Sequence, residues 1–142
     1  MAAYFYDGAR EDFAGAGIDW DTHNIKAVLC KATYVASQSA DNFLSDITAG
    51  NRVAITGNLS GKTQTDGILD ADDITIAAAS FLNNGPATQL VVYRDTGVEA
   101  TSRLILRHDG TTFAGLAGSG YTHAGLDLKI QWPGDANKLG RL

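Results

Sequence analysis

The apolar residues of this chain fall in short blocks, and the two strongest lie on either side of one polar turn. Leu90-Val-Val-Tyr93 and Leu104-Ile-Leu106 are runs of strand length rich in β-branched and aliphatic residues, with Asp95-Thr96-Gly97 supplying turn chemistry between them. Residues 89–109 therefore read as a long β-hairpin. Neither run alternates with polar residues at its centre, which is the pattern of strands covered on both faces, so the hairpin belongs in the middle of a sheet. Upstream, Ile25 to Tyr34 has enough β-branched and apolar residues for a strand buried over much of its length. Downstream, Leu126, Leu128, Ile130 and Trp132 alternate with Asp127, Lys129 and Gln131, as in a one-sided strand whose four apolar residues face inward.

Weaker blocks fill the rest. Residues 9–15 predict one or two helical turns ended by Gly15 and Gly17. Residues 39–47 predict a short helix, with Ser39 as N-cap and Phe43, Leu44 and Ile47 on one side. Arg52 to Thr56 alternates with Val53 and Ile55 on one face, residues 62–66 and 67–70 read as edge strands or one bent strand, and residues 74–77 carry on into the sheet. Gly110, Gly115, Gly118 and Gly120 predict a long exposed loop from Asp109 to Thr122, and a last short strand spans residues 138–142 after the Pro133-Gly134 turn. About seven or eight short strands spaced by turn signals predict a single all-β domain over residues 1–142, a β-sandwich of jelly-roll type with one or two short helices. Residues 1–17 are a candidate N-terminal arm. The expected core contains Ile25, Val28, Leu29, Val91, Val92, Leu104, Ile105, Leu128 and Ile130.

Composition narrows the class. A chain of 142 residues with 44% hydrophobic and 19% charged residues suits one soluble globular domain. Eleven basic against sixteen acidic residues give a net charge of -5, which opposes binding to a polyanion, so nucleic acid is not an expected partner. No apolar run approaches the roughly 20 residues of a membrane helix, so no membrane association is expected. The single cysteine, Cys30, permits no intrachain disulfide and sits inside an apolar run, as a small core residue does. With no basic and apolar leader at the start, folding in a cytoplasm is expected.

Candidate chemistry is sparse. Gly57-Asn-Leu-Ser-Gly-Lys-Thr63 resembles a phosphate-binding loop but has three residues between its glycines where four are needed, and a β-like segment follows it. Asp70, Asp72 and Asp73 group three carboxylates and would be the first ligands of any divalent ion, yet Thr75 and Phe81 stand where a calcium loop of the EF-hand type needs Gly and Glu. His23, His108 and His123 have no metal-ligand spacing and read as surface or strand-end residues. Gly118-Ser-Gly120 fails the nucleophile-elbow pattern. Trp20, Trp132, Tyr34, Tyr93 and Tyr121 suit either a sugar-stacking platform or core packing, and packing is the better fit because Trp132 and Tyr93 lie within apolar strands. No catalytic residue, cofactor or metal is expected.

The order of segments carries a resemblance. Residues 17–29, Phe43-Leu-Ser-Asp-Ile, residues 67–75, Leu90-Val-Val-Tyr-Arg-Asp-Thr-Gly97 with Ala100-Thr-Ser-Arg-Leu-Ile105, and Ile130-Gln-Trp132 resemble a family of small structural proteins of tailed bacteriophages and prophages. The similarity covers most of the chain and is most specific at Tyr93-Arg-Asp-Thr-Gly97 followed by Ala100-Thr-Ser-Arg-Leu-Ile105. The departure is Leu106-Arg107-His108, where relatives carry more apolar residues. Members are described as capsid decoration or cement, head-fibre or minor tail proteins. The resemblance implies a non-enzymatic virion component, assembled in the host bacterial cytoplasm and bound to the phage major capsid protein. Self-association as a homotrimer is implied by the three-fold positions such proteins occupy, with a dimer as the alternative on general grounds. A minor tail or neck component and a carbohydrate-binding module are the competing functions.

Chain ends and long loops are the segments able to reach a neighbour, here residues 1–17 and 109–122. Tyr4, Phe5, Tyr6 and Phe13 are the candidate interface residues, since aromatic side chains supply large contact areas at interfaces. The competing expectation is that this segment covers an open end of its own core.

Overall fold

A computed structural model describes residues 3–113, 116, 118–133 and 138–142. The strands are β1 (Tyr4–Phe5), β2 (Ile25–Lys31), β3 (Arg52–Ile55), β4 (Thr63–Thr65), β5 (Ile68–Asp70), β6 (Ile74–Ile76), β7 (Ala87–Arg94), β8 (Leu104–Asp109), β9 (Leu128–Ile130) and β10 (Gly140–Arg141). The α-helix is α1 (Asp7–Ala14). A five-stranded antiparallel sheet in the order β1-β8-β7-β2-β3 is joined by a three-stranded sheet, β10-β5-β4, and a ribbon of β6 and β9. The expected all-β, sandwich-like build is therefore present. A division of five, three and two carries that class and not a jelly-roll winding.

The hairpin is where the sequence puts it. β7 lies between β8 and β2, with Val92 opposite Leu106 and Ala27, and Leu90 opposite His108 and Leu29. Directly opposed residues share a face. One face thus carries Phe5, Leu106, His108, Leu90 and Leu29, and the other carries Tyr4, Arg107, Val91, Gln89, Val28 and Cys30. Both are covered, so six of the eight β7 residues are buried and only Thr88 and Arg94 are partly exposed. Its turn is set by Asp95, whose carboxylate accepts the Gly97 N–H at 3.0 Å, with Gly97 at φ +82°. The β4–β5 hairpin uses Asp66-Gly67 at φ +53° and +78°, the two left-handed residues of a tight two-residue turn.

The first face is roofed by the two smaller sheets. His108 Nε2 lies 2.6 Å from the Leu139 carbonyl oxygen, and β10 passes so close that a Cβ on Gly140 would stand 2.9 Å from Phe5 Cζ. Trp20 is fully buried and donates its indole N–H to the Asp70 carbonyl at 3.2 Å. Trp132, Ile130, Leu69 and Phe113 complete this layer. The second face is roofed by irregular chain from Tyr34 to Ile47 and by the β7–β8 loop. Of the expected core residues all are buried except Leu128, which packs partly exposed against the rest.

Several expectations are corrected. Residues 39–47 form one 3-10 turn at Leu44–Asp46, because Asp46, not Ser39, accepts the N–H groups of Asn42 and Phe43, and the Leu44 N–H is drawn to the Ser102 carbonyl at 2.8 Å. β6 does not continue into the large sheet but pairs with β9. β3 is not one-sided: Arg52 and Ala54 are buried along with Val53, while Ile55 is partly exposed. Leu126 is 71% exposed, since β9 starts at Leu128 after Asp127 turns its carboxylate to the Ala78 N–H. The segment from Asp109 to Thr122 is not merely an exposed loop; Phe113 and Leu116 are buried and Tyr121 forms a bridge with Ala87. Residues 114, 115 and 117 of that loop, and Gly134 of the expected Pro133-Gly134 turn, lie outside the described residues.

Replacing Val92 by Asp would place an unpaired carboxylate where both faces are closed, at an expected cost of at least about 3 kcal/mol. Denaturant unfolding measures this, and a midpoint unchanged from the parent would mean that β7 is not the centre of the sheet.

Candidate functional site

The candidate interface residues are brought together, but mostly inward. β1 adds to the free edge of β8, Tyr4 opposite Arg107 and Phe5 opposite Leu106, and the Tyr6 N–H bonds to the Ile105 carbonyl at 2.9 Å. Phe5 and Tyr6 are buried, whereas Tyr4 and Phe13 are half-buried. The candidate arm is thus a sheet strand followed by α1 packed on β8, which corrects the expectation of a segment free to reach out. Edge pairing satisfies backbone groups that would otherwise stay open, and it places alternate aromatic rings on opposite faces.

Tyr6 enters a polar network under the second face. Tyr34 donates its hydroxyl to Asp41 at 2.7 Å, so the 3.0 Å contact between the two phenol oxygens is donated by Tyr6. Burial holds both phenols well above their usual range, and for Tyr34 the neighbouring Tyr6 and Asp41 push the same way. Tyr93, also buried, is pushed up to about 12. Gln89 joins the network by donating to the Lys31 and Tyr34 carbonyls at 2.9 and 2.7 Å. Its carbonyl accepts from Arg107 Nε at 2.7 Å, and Arg107 also lies 5.6 Å from the Tyr4 ring centroid. The polar residues of β8 therefore fit both faces: Arg107 serves the Gln89 side and His108 the Leu139 side.

Other cations act as clamps. Arg52, almost wholly buried, donates to the carbonyls of Ile47 and Leu44 at 2.9 Å each, and holds Glu99 through two contacts of 2.6 and 3.2 Å. This guanidinium holds the Glu99 carboxyl below its ordinary range. Arg103 joins Asp12 of α1 at 2.7 Å and Asn42 at 3.0 Å while covering the Phe43 ring. Lys26 meets Asp95 at 2.7 Å and lowers its carboxyl likewise. These pairings link residues as much as 91 positions apart, so spacing along the chain gives no signal for them.

The motifs singled out in the sequence disperse. Asp70 pairs with Lys138 at 2.6 Å, Asp73 accepts the Trp132 N–H at 3.2 Å, and Asp72 lies beside Gly61 and Ser60. Among the described residues no group of three His, Cys, Asp or Glu side chains is arranged to hold a metal ion. Residues 57–63 run into β4 and not into a helix, and Lys62 donates to the His23 carbonyl at 2.7 Å. His108 is buried near the end of β8, a strand-end and not a surface position, while His123 stacks on Phe81 with centroids 3.9 Å apart. Trp20, Trp132, Tyr34 and Tyr93 are all buried, so they form no platform for a sugar ring. Burial pushes the Cys30 thiol up to about 12, as suits a core residue rather than a nucleophile.

A cavity of about 210 Å³ opens where β1, α1, β8 and β10 meet. Phe5, Leu106, Leu139 and Pro133 make its apolar wall, and Arg10, Lys138 and Arg141 stand around it. The sequence carries no sign of it, because its lining comes from both ends of the chain and the β8 strand between.

Deleting residues 1–8 removes β1 with Phe5 and Tyr6. Loss of one large buried aromatic costs about 3–5 kcal/mol against a usual total of about 5–15 kcal/mol, so the truncated chain is expected to lose its cooperative melting transition. A melting temperature kept within a few degrees would show that the segment does not cover its own core. The buried phenols supply a pH test. Their folded pKa lies above the unfolded value of 10.0, so this stability is fully present below pH 10.0 and is lost as pH rises above it. Phenolate absorbance from Tyr6, Tyr34 and Tyr93 is expected to appear together with the loss of near-ultraviolet circular dichroism, and ionisation of all five tyrosines in a still-folded chain would contradict the network.

Among the described residues no helix is long and apolar enough to cross a membrane. Compared with known proteins, the chain matches no protein-family model and no curated sequence.

Proposed function

We propose that this chain is a non-enzymatic structural protein of a tailed-bacteriophage virion, a capsid decoration or cement protein that seats on the major capsid protein and stabilises the head. The observation that supports this most is the use made of charge. Arg52, Arg103, Arg107 and Lys26 are each tied to a loop, a helix or a neighbouring strand of the same chain. Such cross-links suit a body that must hold its loops in fixed positions against a neighbour. The segment order that resembles phage structural proteins, running from residues 17–29 to Ile130-Gln-Trp132, supports the same reading.

Within this proposal the copies associate as trimers, or as dimers, on the capsid lattice. Phe5 and Tyr6 are committed to the core, so of the candidate interface residues Tyr4 and Phe13 are the ones with surface to offer. An antibody raised against the purified chain, applied with gold label to phage particles from the producing strain, tests the assignment. Gold over the heads is the expected result. Label confined to the tail or neck would move the protein there, and intact particles that carry no label would overturn the virion reading.

A further inference from the structure

We propose that the cavity between β1, β8 and β10 is a binding site for a small carboxylate with an apolar body, about the size of a six-carbon acid. This inference is independent of the virion reading. Although the chain carries a net charge of -5, three cations, Arg10, Lys138 and Arg141, line this cavity, and no Asp or Glu is among its described lining residues. Cationic side chains on the lining favour an anion as the ligand.

The wall beneath the cations is apolar. Phe5 and Leu106 form one side, opposed to each other in the β1–β8 register, while Leu139 and Pro133 form the other. Gly140 sets the edge of this space: a side chain there would meet Phe5 Cζ at 2.9 Å and Leu106 Cδ2 at 3.2 Å, so the absence of a Cβ lets β10 pass close over the ring. The wall is also fixed. His108 spans it with both ring nitrogens engaged, Nδ1 at 3.0 Å from Thr112 Oγ1 and Nε2 at 2.6 Å from the Leu139 carbonyl oxygen. An apolar wall with a few cationic side chains on its lining suits an amphipathic anion, since in such sites a few polar groups orient a largely apolar ligand.

Size and charge select the class. A volume of about 210 Å³ exceeds the roughly 150 Å³ that admits benzene and holds on the order of seven groups of about 30 Å³ each. Hexanoate fills it, with the alkyl chain on Phe5 and Leu106 and the carboxylate at the rim. Lys138 is already held by Asp70 at 2.6 Å, whereas Arg10 is only loosely paired with Asp7 at 3.9 Å. Arg141 is exposed on β10. Arg10 and Arg141 are therefore the residues that take the carboxylate, and their planar forks match its two oxygens.

The test is titration of the full chain with hexanoate, followed by amide chemical shifts, beside hexanol and hexylamine as the neutral and cationic counterparts. Saturable shifts at Tyr4, Phe5, Gly140 and Arg141 are expected, with a Kd on the order of 1 mM. Hexanol should bind at least about tenfold more weakly and hexylamine not measurably. Because both arginines lie on the surface, Arg141→Gln with Arg10→Gln should leave the melting temperature unchanged and weaken hexanoate by about tenfold or more, while hexanol binding stays as it was. Equal binding of all three probes, shifts centred elsewhere, no saturation at ten times that concentration, or undiminished hexanoate binding by the folded double variant would each overturn the proposal.

Discussion

The structure depends on one constraint: the strand at its centre is apolar on both sides and must be covered twice. β7 has buried residues pointing alternately to the two faces, and in β2 beside it every residue but Lys26 and Lys31 is buried. A sheet of this kind cannot leave one face to water, as a simple antiparallel sandwich layer can. The chain meets the demand unequally. Two small sheets roof the face of Leu90 and Leu106, whereas the face of Val91 and Gln89 is closed by irregular chain in which the 3-10 turn at Leu44–Asp46 stands.

Irregular chain laid over a core brings buried carbonyl groups with no ladder to satisfy them, and these determine where the polar side chains sit. Arg52 serves the carbonyls of Leu44 and Ile47, and Gln89 serves those of Lys31 and Tyr34. His108 meets the Leu139 carbonyl on the opposite face. A buried carbonyl without a donor costs about 1–3 kcal/mol, so at Ile47, Tyr34 and Leu139 the side chain keeps the segment in place by removing that penalty, whereas the Leu44 and Lys31 carbonyls also accept the Ile47 and Tyr34 N–H groups. The Glu99 carboxylate completes the set by neutralising the buried guanidinium of Arg52, which also fixes the tip of the central hairpin.

This economy shapes what is left for partners. With Arg52, Arg103, Arg107 and Lys26 engaged internally and Lys138 held by Asp70, Arg10 and Arg141 are the cations at the cavity that tie down no distant segment. The cavity they surround lies where the roof of small sheets meets β1, at the outer edge of the large sheet. Such a seam between layers is where side chains from distant segments converge without filling the space completely, and a glycine in β10 lets that strand pass close over Phe5.

The central hairpin, β2, the β4–β5 turn and the all-β class were legible because they rest on local information: β-branched runs of strand length and turn residues at Asp95-Thr96-Gly97 and Asp66-Gly67. The errors came where local signals competed. Ser39 and Asp46 both suit capping, and only the pull of Ser102 on the Leu44 N–H decided for the single turn. Glycines around Phe113 and Leu116 masked two residues that the roof buries, and the alternation of Leu126 to Trp132 ran one residue pair past the strand that uses it. The N-terminal aromatics were visible as aromatics but not as a fifth strand, since a two-residue pairing has no period to read. By itself the sequence determined most of the strand segments and that the central ones must be covered on both faces. Tertiary structure alone decided what covers them, which cation meets which carbonyl and where a cavity remains, because those contacts join residues tens of positions apart and are selected by the burial of the whole.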